Sequence, residues 1–383
     1  MSEFKNLPSG WKVVRLGEIG KVINGLTYSP DNVSNNGLLV LRSSNINDNS
    51  IVLNNDDVYV KGISKFNKTL ENDILICVRN GSKNLIGKSA LITEKHKDLA
   101  FGAFMAIFRS NYNLFLIHIF KTNTFFKQVK NDLGATINSI NNGNLLNFKI
   151  PLPPLDEQEK IAEILSTWDE AIILTINLIE SKKQFKKALM QNLLTAKIRF
   201  PQFKDEWEEI KLSEIFAEYT LLNTENLRQY TIGKNGIKEI NDNKYEINNH
   251  KVFVRNDFIV GIGIDEMNVN LNIEKGSCSP IYNVYSTNEN FVNPNFIYFY
   301  IRKAIERIKP FITRKSTRRE FEFNSSEFIK YKIKLPNLKE QQKIAEVLTA
   351  CDDEINLLNL KLENLKKQKQ GLIQKLLSGK VRI

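Results

Sequence analysis

Two stretches of the chain space their apolar residues in alternating steps of four and three. In the later stretch the positions are Ile344, Leu348, Cys351, Ile355, Leu358, Leu362, Leu365, Lys369, Leu372 and Leu376, nine of ten apolar. In the earlier stretch they are Ile161, Leu165, Trp168, Ile172, Thr175, Ile179, Lys182, Lys186, Leu189 and Leu193, seven of ten apolar. A mean step of 3.5 residues keeps one stripe facing a partner helix, which is the seam of a coiled coil. The spacing predicts two long helices that pair with each other, and the polar positions of the first predict a looser middle. About 39 residues of helix extend ~58 Å, more than one small domain is wide. Pro153 and Pro336 stand just ahead of the helices, where a missing amide is harmless. Asn337 followed by Glu340 has the spacing of a capping box, and Gly379 the position of a C-cap.

Both stripes belong to one internal repeat. Residues 150–200 recur as 333–383 at an offset of 183 without a gap, with 23 of 51 positions identical. A shorter echo opens each half, where residues 11–19 resemble 207–215. A period this long is a duplicated domain pair rather than a solenoid unit. The chain divides into a mixed domain at 1–150, a shared helical region at 151–200, a second mixed domain at 201–333 and a second helical region at 334–383.

Inside the mixed domains, short apolar runs alternate with turn clusters, as at 38–42, 73–78, 252–260 and 281–285. Helices are predicted over 114–129 and 295–308. Glu71-Asn72-Asp73-Ile74 and Arg255-Asn256-Asp257-Phe258 read as one turn-into-strand used twice. The two domains are homologous but diverged, and the fold class is α+β.

Charge sharpens the picture. The chain carries 54 Lys and Arg against 43 Asp and Glu, a net +11. Residues 1–149 hold 18 basic and 11 acidic side chains, residues 201–301 hold 9 and 15, and residues 302–332 hold 10 and 4. The excess is gathered in patches, which suits an anionic partner, although charge alone fits a generic basic surface on a lysine-rich protein equally well. The three cysteines lie far apart with no C-x-x-C pair, which argues against a disulfide framework and a zinc knuckle. No window approaches 18 consecutive apolar residues, and the first residues lack the order of a secretory signal. A cytoplasmic location is the expectation.

Catalytic chemistry finds little support. Asn293-Pro294-Asn295-Phe296 resembles the Asn-Pro-Pro-aromatic loop of amino-methyltransferases, but a helix cap with proline in the first turn explains it. Gly261-Ile262-Gly263 lacks the third glycine of a dinucleotide loop, and no phosphate loop of the G-x-x-x-x-G-K-[ST] type is present. His96, His118 and His250 have no metal-ligand spacing, and His118 reads as a core residue. The residues suited to nucleic acid are Arg314, Lys315, Thr317, Arg318 and Arg319 between Phe311 and Phe321. To these are added Arg42, Arg79, Lys83, Thr136 and Asn138 in Asn- and Ser-rich turns or at strand ends. Such side chains neutralise phosphates or read base edges. No catalytic residue, metal ligand or bound cofactor is expected.

Leu152-Pro-Pro-Leu-Asp-Glu-Gln-Glu-Lys-Ile-Ala-Glu-Ile-Leu165, its second copy and the closing Leu-Leu-x-x-Lys-[Ile/Val]-Arg resemble the shared regions of Type I restriction–modification specificity subunits. Leu155, Glu157, Gln158, Ile161 and Ala162 match that motif, as do Leu338, Glu340, Gln341, Ile344 and Ala345. The resemblance implies two target-recognition domains at opposite ends of an antiparallel helix pair. Each domain reads one half of a split, asymmetric target in double-stranded DNA. It also implies that the helices act as spacer and dock two methyltransferase subunits, which bind S-adenosylmethionine and methylate adenine. Restriction and translocase subunits join for cleavage. It transfers no base-contacting residue. Two other classes fit less well: a reader fused to a methyltransferase lacks its cofactor loop, and a coiled-coil scaffold that ignores DNA leaves the basic patches without a purpose.

Overall fold

The computed structural model describes residues 7–47, 50–54, 56–133, 138–225, 227–233, 236–240, 249–262, 267–272, 274–314 and 322–383. The chain forms two compact units, one from residues 1–175 with 362–383 and the other from 176–361. The first long helix, Leu155–Leu193, and the second, Leu338–Leu376, are both 39 residues and stand at the repeat offset of 183. The unit boundary crosses both of them.

In the first unit, one antiparallel sheet has the order Lys21–Asn24, Met105–Arg109, Ile74–Cys77, Ser89–Leu91. A second sheet has the order Ala100–Phe101, Leu38–Leu41, Val58–Val60, Val33–Ser34, and its first two strands are parallel. The ribbon Lys12–Arg15 with Lys149–Leu152 leads into the first long helix. Phe108, Phe120 and Phe125 share one buried core with Ile161 and Leu165 of the first long helix and Leu376 of the second. The start of one helix therefore lies against the end of the other, which makes the pair antiparallel.

The second unit repeats this plan. Its antiparallel sheet runs Phe216–Tyr219, Asn283–Thr287, Phe258–Ile262, Met267–Leu271. Its other sheet runs Gly236–Glu239, Gln229–Gly233, Gly276–Cys278, Lys251–Phe253, again with one parallel pair. The ribbon Glu208–Lys211 with Lys332–Leu335 leads into the second long helix. Phe216, Phe258 and Phe328 share a core with Leu193, Ile344 and Leu348.

The twin turns are the same structure. Asn72 and Asn256 both adopt the left-handed region, with φ of 64° and 69°, which asparagine tolerates better than most residues. Asp73 accepts from the Leu70 amide at 2.7 Å and Asp257 from the Val254 amide at 2.6 Å.

Three expectations need correction. The helix expected over 114–129 is two, Asn113–Ile119 and Asn123–Asp132. Thr122, in extended backbone, accepts from the Phe125 amide at 3.3 Å and starts a new helix where the apolar pattern alone reads as continuous. The helix expected over 295–308 runs Pro294–Ile312, because Ile308 and Ile312 keep its apolar face in the core. Asn337 does cap the second long helix, accepting from the Glu340 amide at 3.0 Å, but the Glu340 carboxylate binds Arg199 instead of closing a box.

All twenty seam positions are buried or half-buried. The lysines among them form ion pairs across the helix pair. Lys186 meets Asp352 at 2.5 Å and Lys182 meets Glu354 at 2.7 Å in the second unit, and Lys369 meets Asp169 in the first. Each lysine stem lies in the seam while its ammonium group reaches a carboxylate on the facing helix. Gly379 ends the second helix at φ 69°, and its repeat counterpart Ala196 takes φ 56°. The left-handed turn is thus kept even where a Cβ makes it costly.

Candidate nucleic-acid interface

In the first unit, four segments converge on a cleft of about 430 Å³. They are 26–28, 42–43 at the end of strand Leu38–Leu41, 80–81 beyond Ile74–Cys77, and 102–105 leading into Met105–Arg109. The backbones cross tightly: Leu26 donates to the Phe101 carbonyl at 2.6 Å. A Cβ on Gly25 would lie 2.1 Å from the Gly102 oxygen, so only glycine fits there.

The polar side chains of the cleft wall are ordered by their own hydrogen bonds. Asn80 donates to Ser43 Oγ at 3.0 Å, and Asn138 donates to the Gly81 carbonyl at 3.1 Å. The Arg79 amide donates to the Phe104 carbonyl, and the Arg79 guanidinium lies 5.8 Å over the Phe104 ring. Phe104 is 55% exposed although it is a large aromatic. Arg42 lines the same cleft. Neither Arg42 nor Arg79 makes an ion pair among the described residues, whereas Arg109 is held by both oxygens of Asp73 at 2.8 and 2.6 Å. Two available guanidinium groups, amide side chains and an exposed ring together form a surface able to read base edges.

Of the predicted residues, Arg42 therefore lines the cleft, while Arg79 and Asn138 adjoin it through Phe104 and Gly81; Asn80, Tyr28 and Phe104 are added to the lining. No local pattern distinguishes Phe104, since a lone phenylalanine beside a strand reads as core. Lys83 is not in the cleft. It lines a separate depression of about 340 Å³ with Phe126 and Lys130. Thr136, Lys315, Thr317, Arg318 and Arg319 lie outside the described residues. Arg314 pairs through its backbone with Glu322 in the ribbon Thr313–Arg314 with Glu322–Phe323.

A second charged cluster in the first unit is internal. His118 is 1% exposed and neither ring nitrogen has a hydrogen-bond partner. Burial pushes its pKa down to about 3, so the ring is neutral at ordinary pH. Burial also lowers Lys121 to about 8, although Asp169 lies 3.3 Å from its ammonium nitrogen. Asn293, in the methyltransferase-like tetrapeptide, accepts from the Phe296 amide at 3.0 Å and caps the helix that Pro294 begins. Among the described residues no cluster of three His, Cys, Asp or Glu side chains could hold a metal. No described helix is long and apolar enough to cross a membrane.

A family model described as the Type I restriction modification DNA specificity domain matches twice, over residues 8–182 and 204–367. A protein of Methanocaldococcus jannaschii, named as the specificity subunit proposed for type I restriction enzyme MjaX, is 28% identical over all of this chain and 96% of its own length. The type I restriction enzyme EcoKI specificity subunit of Escherichia coli is 25% identical over 64% of this chain and 60% of its own. Among solved structures, the type I restriction–modification S subunit of M. genitalium superposes with a TM-score of 0.64 at 18% identity, covering 98% of each chain. A chain from a study of complex assembly and conformational transition in the type I system gives 0.55 at 17% identity, covering 98% of this chain and 100% of that one. These likenesses are of fold.

Proposed function

The chain belongs to the Type I restriction–modification specificity family, a non-catalytic family, and from that premise we propose that each of its two homologous domains reads one half of a bipartite, asymmetric target in double-stranded DNA. The helix pair spaces the two readings and docks two methyltransferase subunits, to which restriction and translocase subunits are added. S-adenosylmethionine is held by the methyltransferase partners, and the assembly works in the cytoplasm.

The observation that carries this reading is the first unit's cleft. It gathers Arg42 and Asn80 from segments far apart in the chain around the exposed Phe104, with Arg79 over that ring and Asn138 bonded to the Gly81 carbonyl at its edge. Arginine pairs bidentately with guanine, amides pair with adenine, and an apolar ring packs on a thymine methyl group. Docking is supported by large apolar side chains left on the outside of the long helices. In the second unit Phe185, Leu357 and Leu360 are all more than half exposed, as suits a protein interface.

The test is to supply the chain with a type I methyltransferase subunit and map methylated adenines genome-wide. The expected product is a two-part sequence with a fixed unread gap, present only with this chain. A continuous target, or robust methyl transfer by the purified chain alone, would overturn the reading.

A further inference from the structure

In the second unit, residues 194–199 after the first long helix, the Pro294–Ile312 helix and the ribbon of Glu208–Lys211 with Lys332–Leu335 enclose an open groove of about 910 Å³. Lys303 and Arg307 stand one helical turn apart on its wall, and Lys334 faces them from the ribbon. A depression of about 480 Å³ adjoins the groove, shares Thr195 and Lys303 with it, and adds Lys187 and Lys197. Among the described residues, none of these five cations makes an ion pair or a side-chain hydrogen bond. Of the groove's two carboxylates, Glu209 is engaged by Lys332 at 2.8 Å, which leaves Glu206 alone against the five. Burial and the Arg307 charge hold the Lys303 pKa below the ordinary lysine value, as expected where cations crowd without a counter-ion.

The wall also holds an unmet donor. Trp11 donates its indole N–H to Glu157 at 3.0 Å in the first unit. In the second unit the equivalent carboxylate, Glu340, is taken by Arg199, and the Trp207 indole N–H has no partner. Tyr300 accepts from the Lys334 amide and keeps its own hydroxyl proton for a ligand.

We infer that this groove seats the sugar–phosphate backbone of duplex DNA and holds the second unit on the duplex by charge, without reading sequence. This rests on the DNA-reading function proposed above. The cations are spread over two adjoining depressions instead of converging on one point, so a polymer of regular charge fits better than a single anion. A duplex supplies one charge per ~1.7 Å of its axis. An acidic protein is the poorer fit. None of the groove's apolar residues is a large exposed side chain, and a protein interface needs such anchors at its centre. Two of its three cations that lie within the repeat are particular to the second unit. The repeat counterparts of Lys187 and Lys334 are Gln370 and Pro151, and only Lys197 keeps a cation, Lys380.

The experiment compares the full-length chain with a variant carrying Lys187→Ala, Lys303→Ala, Arg307→Ala and Lys334→Ala. Binding to random-sequence duplex DNA is titrated against salt, and the methylated target is mapped with the methyltransferase subunit present. The log–log salt slope should shrink by about 3–4, while the two half-sites stay unchanged. A companion variant with arginine at the three lysine positions should keep the full slope, which separates loss of charge from misfolding. A slope changed by less than one overturns the inference. Loss of methyltransferase co-purification with an unchanged slope would assign the groove to an acidic protein and also overturn it. Altered half-site bases would show that the groove reads sequence. Because the slope is measured on random DNA, it is independent of whether the mapped target is bipartite.

Discussion

Arg199 grips Glu340 with two hydrogen bonds of 2.9 and 2.6 Å, tying the turn after the first long helix to the start of the second. The first unit repeats the grip between Arg382 and Glu157, at 3.3 and 2.9 Å. These are the same two repeat positions with the copies exchanged, since Arg199 corresponds to Arg382 and Glu157 to Glu340. The Asp169–Lys369 and Lys186–Asp352 pairs are related in the same way. Each shared segment thus carries both halves of two ion pairs, and each half is matched by the other copy.

The two grips differ in what their loss leaves behind. Glu340 is fully buried, so Arg199→Ala strands an uncompensated carboxylate and should destabilise the second unit by about 3–5 kcal/mol. Arg382 is half-exposed and Glu157 keeps its bond from Trp11, so Arg382→Ala should cost the first unit clearly less than Arg199→Ala costs the second. Hydrogen exchange resolved by unit measures both. Equal losses would show that burial does not decide the strength of the grip.

Arg42→Ala and Arg79→Ala should each relax the target at one position, with about 1–3 kcal/mol of discrimination lost. Phe104→Ala removes the ring beneath Arg79 and should weaken the same position by about 0.5–1 kcal/mol. Methylation of a library of target variants reads all three. Unchanged specificity in both arginine variants would remove the cleft from the reading surface.

Lys121 gives a pH signature. Its folded pKa of about 8 lies below the ordinary 10.5. Between those values the unfolded chain binds a proton that the folded chain does not, so stability rises with pH across that window. The gap corresponds to about 3 kcal/mol. Lys121→Met should abolish this rise while the Lys369–Asp169 pair stays in place. Denaturation from pH 7 to 11 tests it, and a rise of the same size in the variant would refute the assignment.

Replacing Arg314, Lys315, Arg318 and Arg319 together with alanine should reduce the salt slope of DNA binding by about 3–4 if all four meet phosphate. An unchanged slope and affinity would make this run a solvated segment.

One extra heptad in each long helix, placed near Thr175 and Leu358, preserves the seam and adds about 10.5 Å of rise. At ~3.4 Å per base pair the unread spacer should lengthen by roughly three base pairs, with the half-site bases unchanged. Mapping the methylated sequence decides, and an active complex with its old spacer would show that the helices do not set the distance.

The sequence by itself determined the two helices, their seam, their equal length and the duplicated order of parts. These are one-dimensional properties: a 3.5-residue spacing and a 183-residue offset survive without knowledge of any distant contact. The twin Asn-Asp turns were legible for the same reason, because a left-handed asparagine and its capping aspartate act within four residues. Thr122 divides an apolar run that reads as continuous through a cap that is equally local but hidden by the periodicity around it. Tertiary structure alone decided the rest. Lys186 breaks the apolar pattern of the seam, and only the fold supplies its partner, Asp352, 166 residues away. Arg42, Arg79 and Phe104 meet only because strands pair in a particular order and place their loops on one cleft. The second unit's groove likewise joins residues from a helix end, a second helix and a ribbon. Which loop side chains converge depends on strand order and register, and those are set by long-range pairing that leaves no period in the chain.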